Sequence, residues 1–143
     1  MQIERVITKG QLVPLTFHQN AVAASQTNAQ LPLVETSATT STTDNDGYVM
    51  PFGGQIVAVT AALSAAATDG LLTVGATVGG TGGTDPTLSI ETDTEANASC
   101  VRGTAPFAAG DLVGAEITTD ADWDATTADL AVVVWVLLEL EGI

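Results

Sequence analysis

Leu130-Ala131-Val132-Val133-Val134-Trp135-Val136-Leu137-Leu138 decides how this chain folds: nine apolar residues in a row, followed by Glu139 and Leu140. Four of the nine are valine and no polar residue alternates with them. The run therefore predicts a strand covered on both sides, by a second sheet layer or by another subunit. A membrane-spanning helix needs about 20 apolar residues, and this run stops well short. Side chains alternate along a strand, so Leu130, Val132, Val134, Val136 and Leu138 share one face. Ala131, Val133, Trp135 and Leu137 share the other. One face must fill a core, and the second is left for the N-terminal segment or a second subunit.

The preceding sequence supplies partners for that strand. Gln55 to Leu63 places Val57, Val59, Ala61 and Leu63 on alternate positions, as a half-buried strand does. Asp69-Gly70 then predicts a hairpin turn into the return strand Leu71–Val78. Gly79 to Pro86 reads as an eight-residue loop with four glycines. Thr87–Thr92, Ser99–Thr104 and Leu112–Thr118 read as further strands, with an acidic stretch at Asp93–Ala98. The last two strands flank Pro106–Asp111, where Gly110 is expected at positive φ. The acidic loop Thr119–Ala128 leads into the closing strand. Strands every 8–15 residues, separated by Gly, Asp and Pro turns and with no amphipathic helix, predict an all-β antiparallel β-sandwich, jelly-roll-like.

Upstream of Gly47 the texture is different. Ile3–Thr8 and Leu12–Phe17 are strand-like, but Pro14 cannot donate to a ladder and belongs on an edge or in an arm. Polar residues 18–30 and the Thr/Ser tract 36–46 follow. The expected organisation is an extended N-terminal arm with loops over 1–46 and a β-sandwich domain over 47–143.

Charge narrows the function. Seventeen Asp and Glu stand against Arg5, Lys9 and Arg102, a formal net charge of −14. Binding to nucleic acid is disfavoured because nothing neutralises phosphates, and an anionic membrane is disfavoured likewise. Self-repulsion of this size weakens a compact state unless counter-ions screen it, and at about 1 M salt the screening length falls to about 3 Å. Scarce lysine with abundant Thr and Ala fits a protein that works in high salt. Arg5 and Lys9 put a slightly basic segment ahead of an acidic body, so that segment is a candidate for docking onto an acidic neighbour. No basic stretch followed by an apolar run opens the sequence, so no secretion signal is expected.

Candidate sites are few. Asp120, Asp122 and Asp124 open like a calcium loop, but the sixth and twelfth positions are Ala125 and Ala131 where Gly and Glu are required. They remain weak metal candidates, and no cofactor is expected. Cys100 stands alone, which rules out an intramolecular disulfide and fits a buried structural thiol. His18 is the sole histidine and has no nucleophile-elbow motif to serve, so no enzyme is expected. Trp123 between two aspartates reads either as a contact residue or as a lid folded onto the sandwich. Trp135 reads as core or interface.

Gly54-Gln55-Ile56-Val57-Ala58-Val59, Leu63–Thr68, Gly70-Leu71-Leu72-Thr73-Val74, Phe107-Ala108-Ala109-Gly110-Asp111-Leu112-Val113 and Asp129–Val134 together resemble the β-sandwich structural proteins of tailed viruses. These are head decoration, turret or fibre-type subunits. The resemblance spans about residues 48–140 and is one of pattern; it carries over no functional residue. With the acidic composition it implies a virion structural protein of a halophilic host, a capsid decoration or turret subunit that stabilises the shell. It further implies a place on the outer capsid surface after synthesis in the host cytoplasm. Its partners would be the major capsid protein or neighbouring virion subunits, with a homo-oligomer expected and a trimer favoured. The interface candidates are Arg5, Lys9, Trp123 and Trp135. The other reading is a carbohydrate- or calcium-binding β-sandwich of a viral fibre or surface adhesin, using Asp120–Asp124 and Trp123.

Overall fold

The computed structural model describes residues 10–33 and 46–140, with the side chains of 81–85 excepted. Among the described residues ten strands are formed: β1 Gln11–Gln19, β2 Ala29–Gln30, β3 Tyr48–Val49, β4 Gly54–Leu63, β5 Leu72–Val78, β6 Thr81–Ile90, β7 Glu95–Ser99, β8 Ala105–Phe107, β9 Leu112–Thr119 and β10 Leu130–Leu138. The first sheet runs β1-β10-β4-β7, with β8 also on β4. The second runs β2-β9-β5-β6, with β3 also on β9. Taking β2 with β3, and β7 with β8, as single interrupted strands leaves eight positions. The two sheets then run in the order 1-8-3-6 and 2-7-4-5, the double Greek key of a jelly roll. All pairings are antiparallel.

β10 is central in the first sheet, with β1 paired along its whole length on one side and β4 on the other. Its inner face, Leu130, Val132, Val134 and Val136, is at most 2% exposed. It meets Phe17, Ile56, Val59, Leu72, Val74, Val113 and Ile117 in one core. Phe17 also makes an edge-to-face contact with Tyr48, ring centres 5.7 Å apart. In β4 the alternation changes phase at a bulge: Ala58 pairs with Trp135 but Ile56 with Val136, which leaves Val57 as the extra residue. Ile56 and Val59 therefore both point inward, while the expected inward Val57 is half-buried.

Several expectations are corrected. Residues 11–33, placed in an arm from sequence, are part of the sandwich: β1 pairs with β10 over nine positions, and Leu15, Phe17, Val22 and Leu31 are buried. Ile3–Thr8, Arg5, Lys9 and most of the Thr/Ser tract lie outside the described residues. Pro14 is on an edge strand, as anticipated. The His18 N–H is directed to Pro32 O and the Thr16 carbonyl accepts from Tyr48 Oη, so even-numbered residues of β1 turn their backbone polar groups away from β10. The N–H that Pro14 lacks would point to the same outer side.

Asp69-Gly70 does not close a hairpin. It belongs to a crossover, because β4 lies in the first sheet and β5 in the second. A turn signal fixes a local reversal but not which sheet receives the chain. The long glycine loop shrinks to a two-residue turn, Gly79-Gly80, between Val78 and Thr81. Ser99–Thr104 is mostly turn, with Thr104 N–H bonded to Val101 O and Val101 79% exposed. The strand lies instead at Glu95–Ser99, over most of the acidic stretch Asp93–Ala98.

Candidate functional site

The two sheets differ on their outer faces. Over the second sheet Thr77, Glu116 and Gln30 are buried although they point away from the core. Gln30 Nε2 donates to Glu116 Oε2 at 3.4 Å. A side chain at Gly114 would meet Asp46 O at 2.6 Å and Thr77 Oγ1 at 2.8 Å, so that face is closely packed.

Among the described residues nothing covers the first sheet on the corresponding side. The β1–β10–β4–β7 register lines up His18, Ala131, Ala62 and Glu95 in one row, then Thr16, Val133, Thr60 and Asn97, then Pro14, Trp135, Ala58 and Ser99. Leu12 and Leu137 begin a fourth row. Ala62 and Ala131 are exposed, Val133 and Trp135 are half-buried, and Leu12 is 54% exposed. Trp135 lies in the face and is held there by Nε1–H donating to Thr60 Oγ1 at 3.4 Å. Beside it the bulge turns both Val57 and Ala58 outward, and a shallow depression of about 480 Å³ opens between these residues, Leu12 and Ser99. A second depression of about 400 Å³ lies over Thr60, Ala62, Ala131 and Val133. The four strands place two titratable side chains on this face, His18 and Glu95, both at one end of it.

The carboxylates collect elsewhere. The β4–β5, β6–β7 and β9–β10 connections meet at one end of the sandwich and bring Asp69, Glu91 and Asp120 around a single depression. Asp93, Asp122, Asp124 and Asp129 lie in the same connections. The Asp-x-Asp-x-Asp run does not converge on a point. Asp120 Oδ1 accepts from the Asp122 N–H at 3.2 Å. Asp124 instead accepts from both the Thr68 hydroxyl and the Thr68 N–H. Among the described residues no group of three or more His, Cys, Asp or Glu side chains could hold a metal ion.

The Thr68 hydroxyl, followed by the Thr68 N–H, holds the Asp124 carboxyl below the usual carboxylate range. A lowered folded-state pKa means that this contribution to stability is present above the unfolded value, about 3.9, and is lost as pH falls through the folded one. Thr68→Val should move the Asp124 titration midpoint up toward the ordinary value. Carboxyl carbon shifts followed by NMR across pH 2–5 would read it, and an unmoved midpoint would assign the lowering to something other than the hydroxyl.

Trp123, one of the interface candidates, is not at the surface. It is 2% exposed, and its Nε1–H donates to Val22 O at 3.1 Å. The ring closes the acidic end of the core as a lid, so of the two readings of Trp123 the lid is the one seen, and its place among the interface candidates is corrected to the core. Cys100 is half-buried with Sγ 3.3 Å from Ile56 O, consistent with a structural thiol. Sequence reasoning missed the contribution of β1 and β7 to the bare face. Their alternating patterns, with Thr16, Pro14, Asn97 and Ser99 outward, carry the only signal.

No family model matches this chain, and no curated protein matches it. Among solved structures it is similar to the cyanophage Pam1 capsid asymmetric unit, with 11% sequence identity and a TM-score of 0.41 over 96% of this chain and 92% of that one.

Proposed function

We propose that this chain is a virion structural protein of a tailed virus of a halophilic host, a decoration or turret subunit that binds the outside of the shell and stabilises it. The observation that carries this reading is the division of the surface. A sandwich gathers seven carboxylates in the connections at one end and keeps a flank on which Glu95 is the one acidic side chain. Such a body works through surfaces and needs no reacting group. The jelly-roll strand order is one that viral capsid proteins use, although lectins and cupins use it too. The sequence pattern described at the outset favours the viral use.

On this reading residues 1–9, with Arg5 and Lys9, fasten to an acidic neighbouring subunit, and the acidic end faces solvent. Binding across assembled subunits adds stability by mass action on the assembled state. The adhesin reading loses its aromatic platform with Trp123 buried. Density-gradient fractionation of virus-producing cells tests the proposal. The chain should band with assembled particles at fixed stoichiometry, and Arg5→Glu with Lys9→Glu should release it into the soluble fraction. Recovery of the unaltered chain only in the soluble fraction would overturn the reading.

A further inference from the structure

We propose that the outer face of the first sheet is where two copies of this chain meet, sheet against sheet. A face centred on Trp135, Val133, Ala58 and Ala62 carries one carboxylate, Glu95 at its end, and so offers little charge to a basic or an acidic partner. It is, however, a place where two bodies of net charge −14 can approach with little repulsion, because Glu95 is the one carboxylate its strands place there while Asp69, Glu91, Asp93, Asp120, Asp122, Asp124 and Asp129 gather at the sandwich end. The packed outer face of the second sheet has no such property, with Glu116 and Gln30 already buried there.

Size fits a weak pair. Four strands spaced about 4.8 Å apart and eight residues long cover roughly 19 by 26 Å, about 500 Å² per copy. Two such faces bury about 1,000 Å², at the lower limit for a specific interface. A face that meets itself is related by a two-fold axis, so the product is a dimer and not the three-fold ring expected from sequence. Residual repulsion between the bodies makes the pairing salt-promoted, roughly tenfold tighter in about 1 M NaCl than in about 0.05 M.

Sedimentation equilibrium of the full chain across both salt concentrations tests this. The expected result is a mass rising toward twice 14.4 kDa with concentration and salt. Trp135→Glu and Ala131→Glu should both remain monomeric in high salt. Ala131 is exposed, so its variant keeps the fold even where Trp135→Glu loses it, and circular dichroism checks both. A wild-type monomer throughout would overturn the proposal, as would a dimer that survives either folded variant. Deleting residues 1–9 separates a further occupant: a chain that dimerises only after the deletion has its own N-terminal segment on this face, which also overturns it. The inference does not depend on a place in a virion. A lone monomer would leave particle binding untouched, and a failed fractionation would leave the dimer standing.

Discussion

Trp123→Ala should lower the unfolding free energy by about 3–5 kcal/mol, the range for emptying a buried aromatic site. The indole is among the largest fully buried side chains of the chain, and it closes the core between the β9–β10 connection and Val22. Truncation leaves a cavity under the acidic end and strands the Val22 carbonyl without its indole donor. Trp123→Phe retains most of the packing and loses the hydrogen bond, so about 1–2 kcal/mol is expected. A domain of this size has about 5–15 kcal/mol in total, and the alanine variant should melt roughly 10 °C lower. Urea unfolding at constant slope reads the difference. A loss below about 1 kcal/mol for Trp123→Ala would mean that the ring is not part of the core.

Gly70→Ala should cost about 3 kcal/mol, from two separable causes. Gly70 has φ +87°, where an L-residue pays about 1–2 kcal/mol. An added Cβ would also press into the Trp123 backbone nitrogen and Cα, which cannot rotate aside as a side-chain tip would. Gly110 provides the control. It has nearly the same φ, +92°, with nothing within 4 Å of an added Cβ. Gly110→Ala should therefore show the conformational cost alone. Equal losses at the two positions would remove the close approach from the account. Gly70 and Trp123 touch, so Gly70→Ala combined with Trp123→Ala should cost less than the two losses added together.

The last strand was legible to the residue, from Leu130 to Leu138, and so was the division of its faces. Nine consecutive apolar residues leave little competing structure, and period two assigns the sides. Gly110 was legible too, because its positive φ answers a local turn requirement. What sequence did not carry was which sheet each strand joins. The step from Leu63 to Leu72 looks like a hairpin from Asp69-Gly70, yet the chain crosses between layers there, and only contacts distant in sequence decide that. Glu95–Ser99 was passed over because an edge strand needs few apolar residues and this one has Glu and Asn outward. For the candidate face the anchor Trp135 was visible, but its neighbours come from β1, β4 and β7. Trp123 stayed ambiguous because its aspartate neighbours are exposed while the ring itself turns inward.

Pro14 bears on a different matter, the limit of growth. A sheet with open edges can recruit strands from other copies one after another and polymerise without end. Here the outer margin of β1 is interrupted at its middle by a residue with no hydrogen to donate, and the opposite margin is shared by the short strands β7 and β8. Neither rim is a template for continuous strand addition. Contacts between copies through this sheet are thereby confined to its faces, which saturate once occupied. At high local concentration the first sheet therefore favours finite units over fibres.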